Sequence, residues 1–340
     1  MSSGSICLFP QIQALAGPAS FSARFKAGMA QQGVEVHHDP QRSDTRAILI
    51  IAGTRHIQPI LQARRRGVRV VQRLNGINWI HRHRKTGWRH YLRAEAGNLL
   101  LAFTRRFLAD FVVYQSHFAH RWWEQTFGKT PVENTVIWNG VDLVEFSPHG
   151  DEIPPTDRVR VQVVEGHLKG GFEIGLEIAT GFGAALQQKA NLPVEVVITG
   201  ALNQTYASQV LETCPNLRIC LTGVVAPQHI PALNRQAHVF LSTDLHAACP
   251  NSVIEALACG TPVAAFATGA LPELVVGDSG RVVDYGRNAW KAELPHFEPL
   301  ADVVMEIIRN QAKFRRAARR LAEEKFDLRK MCNAYQEVLL

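Results

Sequence analysis

Apolar residues along this chain gather in short runs, and the runs are separated by longer stretches in which apolar positions recur at helical spacing. In the first half the runs cover residues 6–9, 34–37, 47–51, 68–72, 111–114 and 135–138, with helical segments such as 21–32 and 118–127 between some of them. The second half repeats the rhythm at 159–164, 194–199, 217–221, 239–242 and 262–267. Strands that alternate with helices predict parallel sheets joined by right-handed crossovers. Two such series predict an α/β protein of two doubly wound domains. The length of 340 residues agrees, being too great for one ordinary α/β domain and comfortable for two.

The boundary is legible as Ser147-Pro148-His149-Gly150-Asp151-Glu152-Ile153-Pro154-Pro155, a polar, proline-rich stretch flanked by apolar runs. It divides the chain into domains at 1–150 and 151–324. From about residue 300 the pattern is helical, and 325–340 is expected to form a terminal helix that packs back towards the first domain. No low-complexity segment or short tandem repeat interrupts this organisation.

Composition narrows the function classes. Hydrophobic residues make up 46% and charged residues 20%, an ordinary globular balance that excludes a disordered chain. No stretch approaches the roughly 18–20 apolar residues of a membrane-spanning helix. Residues 1–8 have no basic start and no long apolar run, so no cleaved signal peptide is expected and the location is read as cytoplasmic. The six cysteines are scattered, without the close spacing of a metal knuckle or redox motif, and read as small buried hydrophobes in a reducing compartment.

Charge is uneven. Residues 1–150 hold 19 Lys and Arg against 9 Asp and Glu, whereas residues 151–340 hold 18 against 21. The excess concentrates at Arg64, Arg65 and Arg66, then at 81–93, where Arg82, Arg84, Lys85, Arg89 and Arg93 lie among Trp79, Trp88 and Tyr91. Basic residues among aromatics suit anionic lipid headgroups, at the inner face of a membrane, or a phosphorylated acceptor. On pattern alone a solvated helix face with its aromatics packed inward is the stronger reading. Nucleic acid is not an expected partner, because no binding module for it is visible.

The densest chemistry lies at Cys249-Pro250-Asn251-Ser252-Val253-Ile254-Glu255-Ala256-Leu257-Ala258-Cys259-Gly260-Thr261-Pro262-Val263. A strand ending near Ser242 feeds a loop and then a short helix, which Asn251 or Ser252 can cap and Gly260 can stop. Ligands of a parallel sheet sit beyond the carboxyl ends of its strands, and a helix start can hold phosphate or sugar hydroxyls. Glu255, read on the first turn, could grip a ribose diol. Ser252-x-x-Glu255 reads equally well as a capping box.

The segment from Pro250 to Val275 resembles the signature of glycosyltransferase family 4. The resemblance rests on Glu255-Ala256-Leu257-Ala258-Cys259-Gly260-Thr261-Pro262-Val263 and on Gly269-Ala270-Leu271-Pro272-Glu273-Leu274-Val275. Asn139-Gly140-Val141-Asp142, Lys169-Gly170, Leu221-Thr222-Gly223-Val224-Val225, Gly280-Arg281-Val282-Val283 and Phe326-Asp327-Leu328 follow in the family's order, so the likeness spans nearly the whole chain. It implies a GT-B architecture, two Rossmann-like domains facing across a cleft, and a retaining hexosyltransferase that needs no metal. The co-substrate would be a UDP- or GDP-sugar and the acceptor a glycan, a lipid-linked molecule or another small molecule.

By the same resemblance Glu255 would hold the ribose, Lys169 would meet the diphosphate, and the N–H groups of Ala270 and Leu271 would line the leaving-phosphate site. Val224 and Val225 would flank the base. In the first domain, Gly17-Pro18-Ala19-Ser20 resembles the glycine loop that faces the donor phosphates, and Asn75, with Arg73, opens after the run 68–72 towards acceptor or phosphate. An ordinary strand-to-helix turn is an equally good reading of Gly17. The chain departs from the family at position 247, where the first glutamate of the signature pair is replaced by Ala247, and His246 or Asp244 is the candidate substitute. The arginine that precedes the Lys-Gly pair is also missing, with His167 nearby. These departures keep two alternatives open: a non-catalytic nucleotide-sugar-binding or scaffold protein of the same fold, and a nucleotide-sugar 2-epimerase.

Overall fold

Twelve strands form in the computed structural model, which describes residues 4–12 and 17–340, with His167 described by its backbone only. The strands are β1 (Ser5–Phe9), β2 (Val36–His37), β3 (Thr45–Ile51), β4 (Arg69–Leu74), β5 (Phe111–Tyr114), β6 (Glu133–Val136), β7 (Val159–Leu168), β8 (Val194–Leu202), β9 (Arg218–Gly223), β10 (Val239–Ser242), β11 (Val263–Phe266) and β12 (Gly280–Val283). Among them run α1 (Gly17–Gln31), α2 (Ile57–Arg65), α3 (Trp88–Phe103), α4 (His117–Phe127), α5 (Ile174–Gln187), α6 (Gln204–Glu212), α7 (Ile230–Arg235), α8 (Asn251–Ala258), α9 (Leu271–Leu274), α10 (Glu298–Arg309), α11 (Gln311–Lys325) and α12 (Leu328–Leu339). Every apolar run singled out above contains or overlaps a strand.

The chain divides into two units. Unit 1 comprises Met1–Trp79, Gly87–Gly140 and Asp327–Leu340, and unit 2 comprises Ile80–Thr86 and Val141–Phe326. The chain passes into unit 2 after Gly140, ahead of the polar stretch 147–155. Residues 81–93 are therefore divided between the two units. Within unit 2, Arg84 lies 3.6 Å from the Glu177 carboxylate and its guanidinium donates to the Ala292 carbonyl at 3.4 Å.

Unit 1 is a six-stranded sheet of order β2-β1-β3-β4-β5-β6, parallel throughout. Five consecutive residues of β3, Ala47 to Ile51, are buried, because a central strand of a parallel sheet is covered on both faces. Unit 2 is a second parallel sheet, of order β12-β11-β10-β7-β8-β9. Both are doubly wound Rossmann-like domains. The winding reverses once in each, between β1 and β3 and between β7 and β10.

The last helix completes unit 1. Asp327 caps α12 by accepting the Arg329 N–H at 2.8 Å, and Leu328, Met331, Cys332, Tyr335 and Leu339 repeat at helical spacing along its buried face. That face packs on Phe21, Phe25 and Met29 of α1 and on the β3 core. The Tyr335 ring lies 5.6 Å from Phe21 and 5.4 Å from Phe25, centroid to centroid. Tyr335→Ala is expected to cost about 3–5 kcal/mol, the range for emptying a fully buried aromatic site. Urea unfolding of the full chain followed by circular dichroism checks this, and a loss below about 1 kcal/mol would show that the aromatic cluster is dispensable.

Candidate functional site

The reversal between β7 and β10 opens a crevice at the carboxyl edge of the unit 2 sheet, where neighbouring connections leave to opposite faces. Six of the eight sequence candidates lie along this edge. Lys169 follows β7 directly, and Val225 comes two residues after β9. His246 is in the loop after β10, Glu255 is on the helix that this loop feeds, and Ala270 and Leu271 follow β11. Gly17 and Asn75 belong to unit 1.

Glu255 is the fifth residue of α8, in its second turn rather than its first, and it is buried. The N-cap is Pro250, which offers no side-chain cap, and Ser252 is already the second helical residue. The capping-box reading of Ser252 and Glu255 therefore fails on position, and a buried carboxylate remains on a helix that starts at the crevice. Such a group accepts two hydrogen bonds from a diol, and its negative charge would hold them more strongly than a neutral acceptor.

Beside it, the loop after β10 folds tightly against the loop after β11. His246 is in the left-handed region at φ 57°. A Cβ on Gly269, itself at φ 58°, would lie 2.6 Å from the Ala247 nitrogen and 2.7 Å from its oxygen. Only glycine fits that approach. The Ala270 N–H donates to the Ala247 carbonyl at 2.9 Å, which locks the two loops, and the Leu271 N–H donates to Thr268 at 3.2 Å. Both amides expected to line a leaving-phosphate site are thus engaged within the chain, and α9 behind them is only four residues long. The His246 ring stacks on Trp290 at 3.5 Å between centroids and 9° between planes. Burial holds its pKa down at about 4, so at neutral pH it is an uncharged imidazole.

Sequence reasoning passed over Glu165. It ends the apolar run of β7, beside the winding reversal, and Thr243 beyond β10 donates a hydroxyl bond to its Oε1 at 3.0 Å. Asp244 is the next residue. Both residues are half-buried, and desolvation of their carboxyl groups raises both pKa values above the usual carboxylate range, with the Asp244 charge raising Glu165 further. The signal was an acidic residue at the end of a parallel strand, where charge is rare without a reason. Lys169 is exposed, and the turn after it is fixed because the Glu173 carboxylate accepts the N–H groups of Gly170 and Gly171, both at 2.8 Å. Val225 is half-buried, whereas Val224 is largely exposed.

The two unit 1 candidates are less free than the sequence suggested. Gly17 is the first residue of α1 rather than part of a loop, and 13–16 lie outside the described residues. The Asn75 side-chain oxygen accepts from Arg73 at 2.9 Å and Gln115 at 2.7 Å, while its backbone oxygen accepts the Trp123 indole N–H at 2.7 Å. Arg73 is itself buried, donates to Asn139 at 2.7 Å, and sits 3.8 Å over the Phe21 ring. This network orders the carboxyl edge of the first sheet and engages the side-chain oxygen of Asn75, expected to open towards acceptor or phosphate, within the chain.

Residues 178–296, about a third of the chain, match the family described as Glycosyl transferases group 1. The matched stretch contains Val225, Asp244, His246, Glu255, Ala270 and Leu271. No curated protein matches the chain. Among solved structures, a glycosyltransferase from Rickettsia africae ESF-5 is similar at 14% identity and TM-score 0.70, over 100% of this chain and 98% of that one. Anabaena Alr3699/HepE in complex with UDP and glucose is similar at 16% identity and TM-score 0.65, over 99% of both chains. Sucrose-phosphate synthase from Thermosynechococcus elongatus is similar at 15% identity and TM-score 0.65, over 94% of this chain and 76% of that one. These likenesses show the fold, the GT-B arrangement of two Rossmann-like domains.

The Glu165–Asp244 pair gives a measurable pH dependence. A carboxyl whose folded pKa is raised contributes stability below its unfolded pKa and loses it as pH rises through the folded value. Glu165→Gln is therefore expected to gain a few degrees in melting temperature over the parent at about pH 8, and little at about pH 5. His246 and His238, both held near pKa 4, act in the opposite sense, losing stability as pH falls below the ordinary histidine value, and they cancel in the comparison. A constant difference between the two proteins across this range would mean that the pair is ionised without penalty.

Proposed function

We propose that the protein is a glycosyltransferase that moves a hexose-type sugar, with retention of anomeric configuration, from a UDP- or GDP-sugar bound at the carboxyl edge of the unit 2 sheet. The observation that carries this reading is Glu255: a buried carboxylate in the second turn of the helix that opens at the winding reversal. It lies inside the stretch that matches glycosyl transferases group 1. In this reading Glu255 accepts hydrogen bonds from the ribose hydroxyls, and the mobile Lys169 ammonium neutralises charge that develops on the departing diphosphate. His246, uncharged and held by Trp290, offers a neutral donor or acceptor to the sugar rather than a positive charge. The UDP and glucose held by Anabaena HepE favour a uridine donor. The acceptor is a glycan, a lipid-linked molecule or another small molecule.

Ala247 favours a second reading, in which the protein binds nucleotide sugars without turning them over. The buried alanine supplies no hydrogen bond where the related signature has a carboxylate. One lost hydrogen bond to a sugar hydroxyl is worth about 0.5–1.5 kcal/mol when water fills the gap, which lowers rate or selectivity without abolishing transfer.

Calorimetric titration with UDP, GDP, UDP-glucose and GDP-mannose tests the assignment. Glu255→Gln is expected to weaken nucleotide binding by about 1–3 kcal/mol with the fold intact, and unchanged affinity would remove the ribose role. Ala247→Glu is expected to change sugar preference or raise transfer, with UDP affinity within about twofold of the parent. If parent and variant both bind nucleotide and neither transfers sugar from any donor to an acceptor or to water, the non-catalytic reading stands.

A further inference from the structure

The helix α3 is built the wrong way out for a domain interior. Its buried positions are only Ala94 and Asn98. Asn98 clips the helix to the preceding loop by accepting the Asn78 N–H at 2.9 Å and donating to the Asn78 carbonyl at 2.9 Å. The large apolar residues lie elsewhere. Trp88 is 69% exposed, Leu92 59% and Leu99 65%, with Phe103 also exposed. At about 100° per residue these four fall within an arc of roughly 60°. They form one stripe along a helix about 24 Å long.

A π-helical turn at Thr104–Leu108 extends the stripe. Arg105 anchors that turn inward, donating to the Tyr114 hydroxyl at 3.0 Å, the Gly128 carbonyl at 2.6 Å and Thr130 at 2.8 Å. Phe107 is left outside at 61% exposure, its ring 5.1 Å from that of Phe103. Arg64 of α2 donates to the Phe107 carbonyl at 3.1 Å, which sets exposed Arg65 at the end of α2 near the turn. Of the aromatics that the sequence pattern favoured as inward-packed, Trp79 is buried, whereas Trp88 and Tyr91 face out.

We propose that this face of unit 1 docks on an anionic lipid surface. The charge beside the stripe selects that occupant. Arg89 and Arg93 flank it along α3, and Arg106 lies beside Phe107, all exposed. Arg89 also packs 5.3 Å over the Trp88 ring. Glu95, half-buried, is the one acid between 88 and 108. A helix with an apolar stripe, an indole near one end and arginines on its flank lies in the plane of a bilayer interface, its cations at the phosphates. A second copy of the chain would bring the same arginines against one another across a two-fold interface, which opposes self-association. The proposal holds whichever donor unit 2 binds.

Flotation of the full chain with vesicles tests it. Vesicles of phosphatidylcholine containing about one-third phosphatidylglycerol are expected to carry the protein, and vesicles of phosphatidylcholine alone are not. Raising the salt should release it. Trp88→Ser/Leu99→Ser/Phe107→Ser and, separately, Arg89→Gln/Arg93→Gln/Arg106→Gln should each lower the partition coefficient more than about tenfold, with circular dichroism unchanged. Because every altered side chain is exposed, the fold should survive, and the charge variant reads the same surface if the apolar variant misfolds. Parent-like binding by both variants would overturn the proposal. So would absence of binding by the parent, or a parent dimer that the apolar variant dissociates without any effect of lipid.

Discussion

A parallel sheet that winds both ways must open at one place, and the account of this protein rests on that constraint. In unit 2 the opening lies between β7 and β10. Loops leave these strands for opposite faces of the sheet, so chemistry placed after them converges without any one loop having to be long. Lys169, Asp244, His246 and Glu255 reach one edge for this reason. The approach of Gly269 to the Ala247 backbone then fixes the edge: a side chain at 269 would collide with the β10 loop, and the Ala270 to Ala247 hydrogen bond would be lost.

That rigidity changes how the edge is read chemically. Of the two amides attractive for a leaving phosphate on sequence grounds, that of Ala270 holds the two loops together and that of Leu271 closes a turn on Thr268. In the proposed reading the exposed Lys169 meets the anion and the buried Glu255 meets the hydroxyls. The half-buried carboxyl pair Glu165 and Asp244 sits beside the same reversal, and a diphosphate nearby would favour its protonated form. The edge thus combines one mobile cation with acidic groups whose charge depends on their surroundings.

Much of this was legible in the sequence. Alternating runs gave every strand but β12, because a buried parallel strand needs consecutive apolar residues, as 47–51 show. The Glu255 and Gly269 segments stood out by their resemblance to the glycosyltransferase family 4 signature. Contacts between distant segments were not legible. Nothing local in Asn75 shows that Gln115 and Trp123 will hold it, and nothing in His246 announces Trp290. Helical register was the other blind spot. Two residues' shift in the start of α8, from Ser252 to Pro250 as N-cap, moves Glu255 out of its capping position. On α3, Trp88 and Tyr91 were expected inward only because most aromatic side chains are.

The central claim is that the carboxyl edge of the unit 2 sheet takes a nucleotide sugar. Amide hydrogen exchange of the full chain, with and without saturating UDP, UDP-glucose, GDP or GDP-mannose, addresses it most directly. The account predicts slowed exchange at 165–173, 243–256 and 268–275 with at least one of these compounds, and no comparable change along α2 or α3. Protection confined to unit 1, or exchange unaltered by every compound, would contradict it.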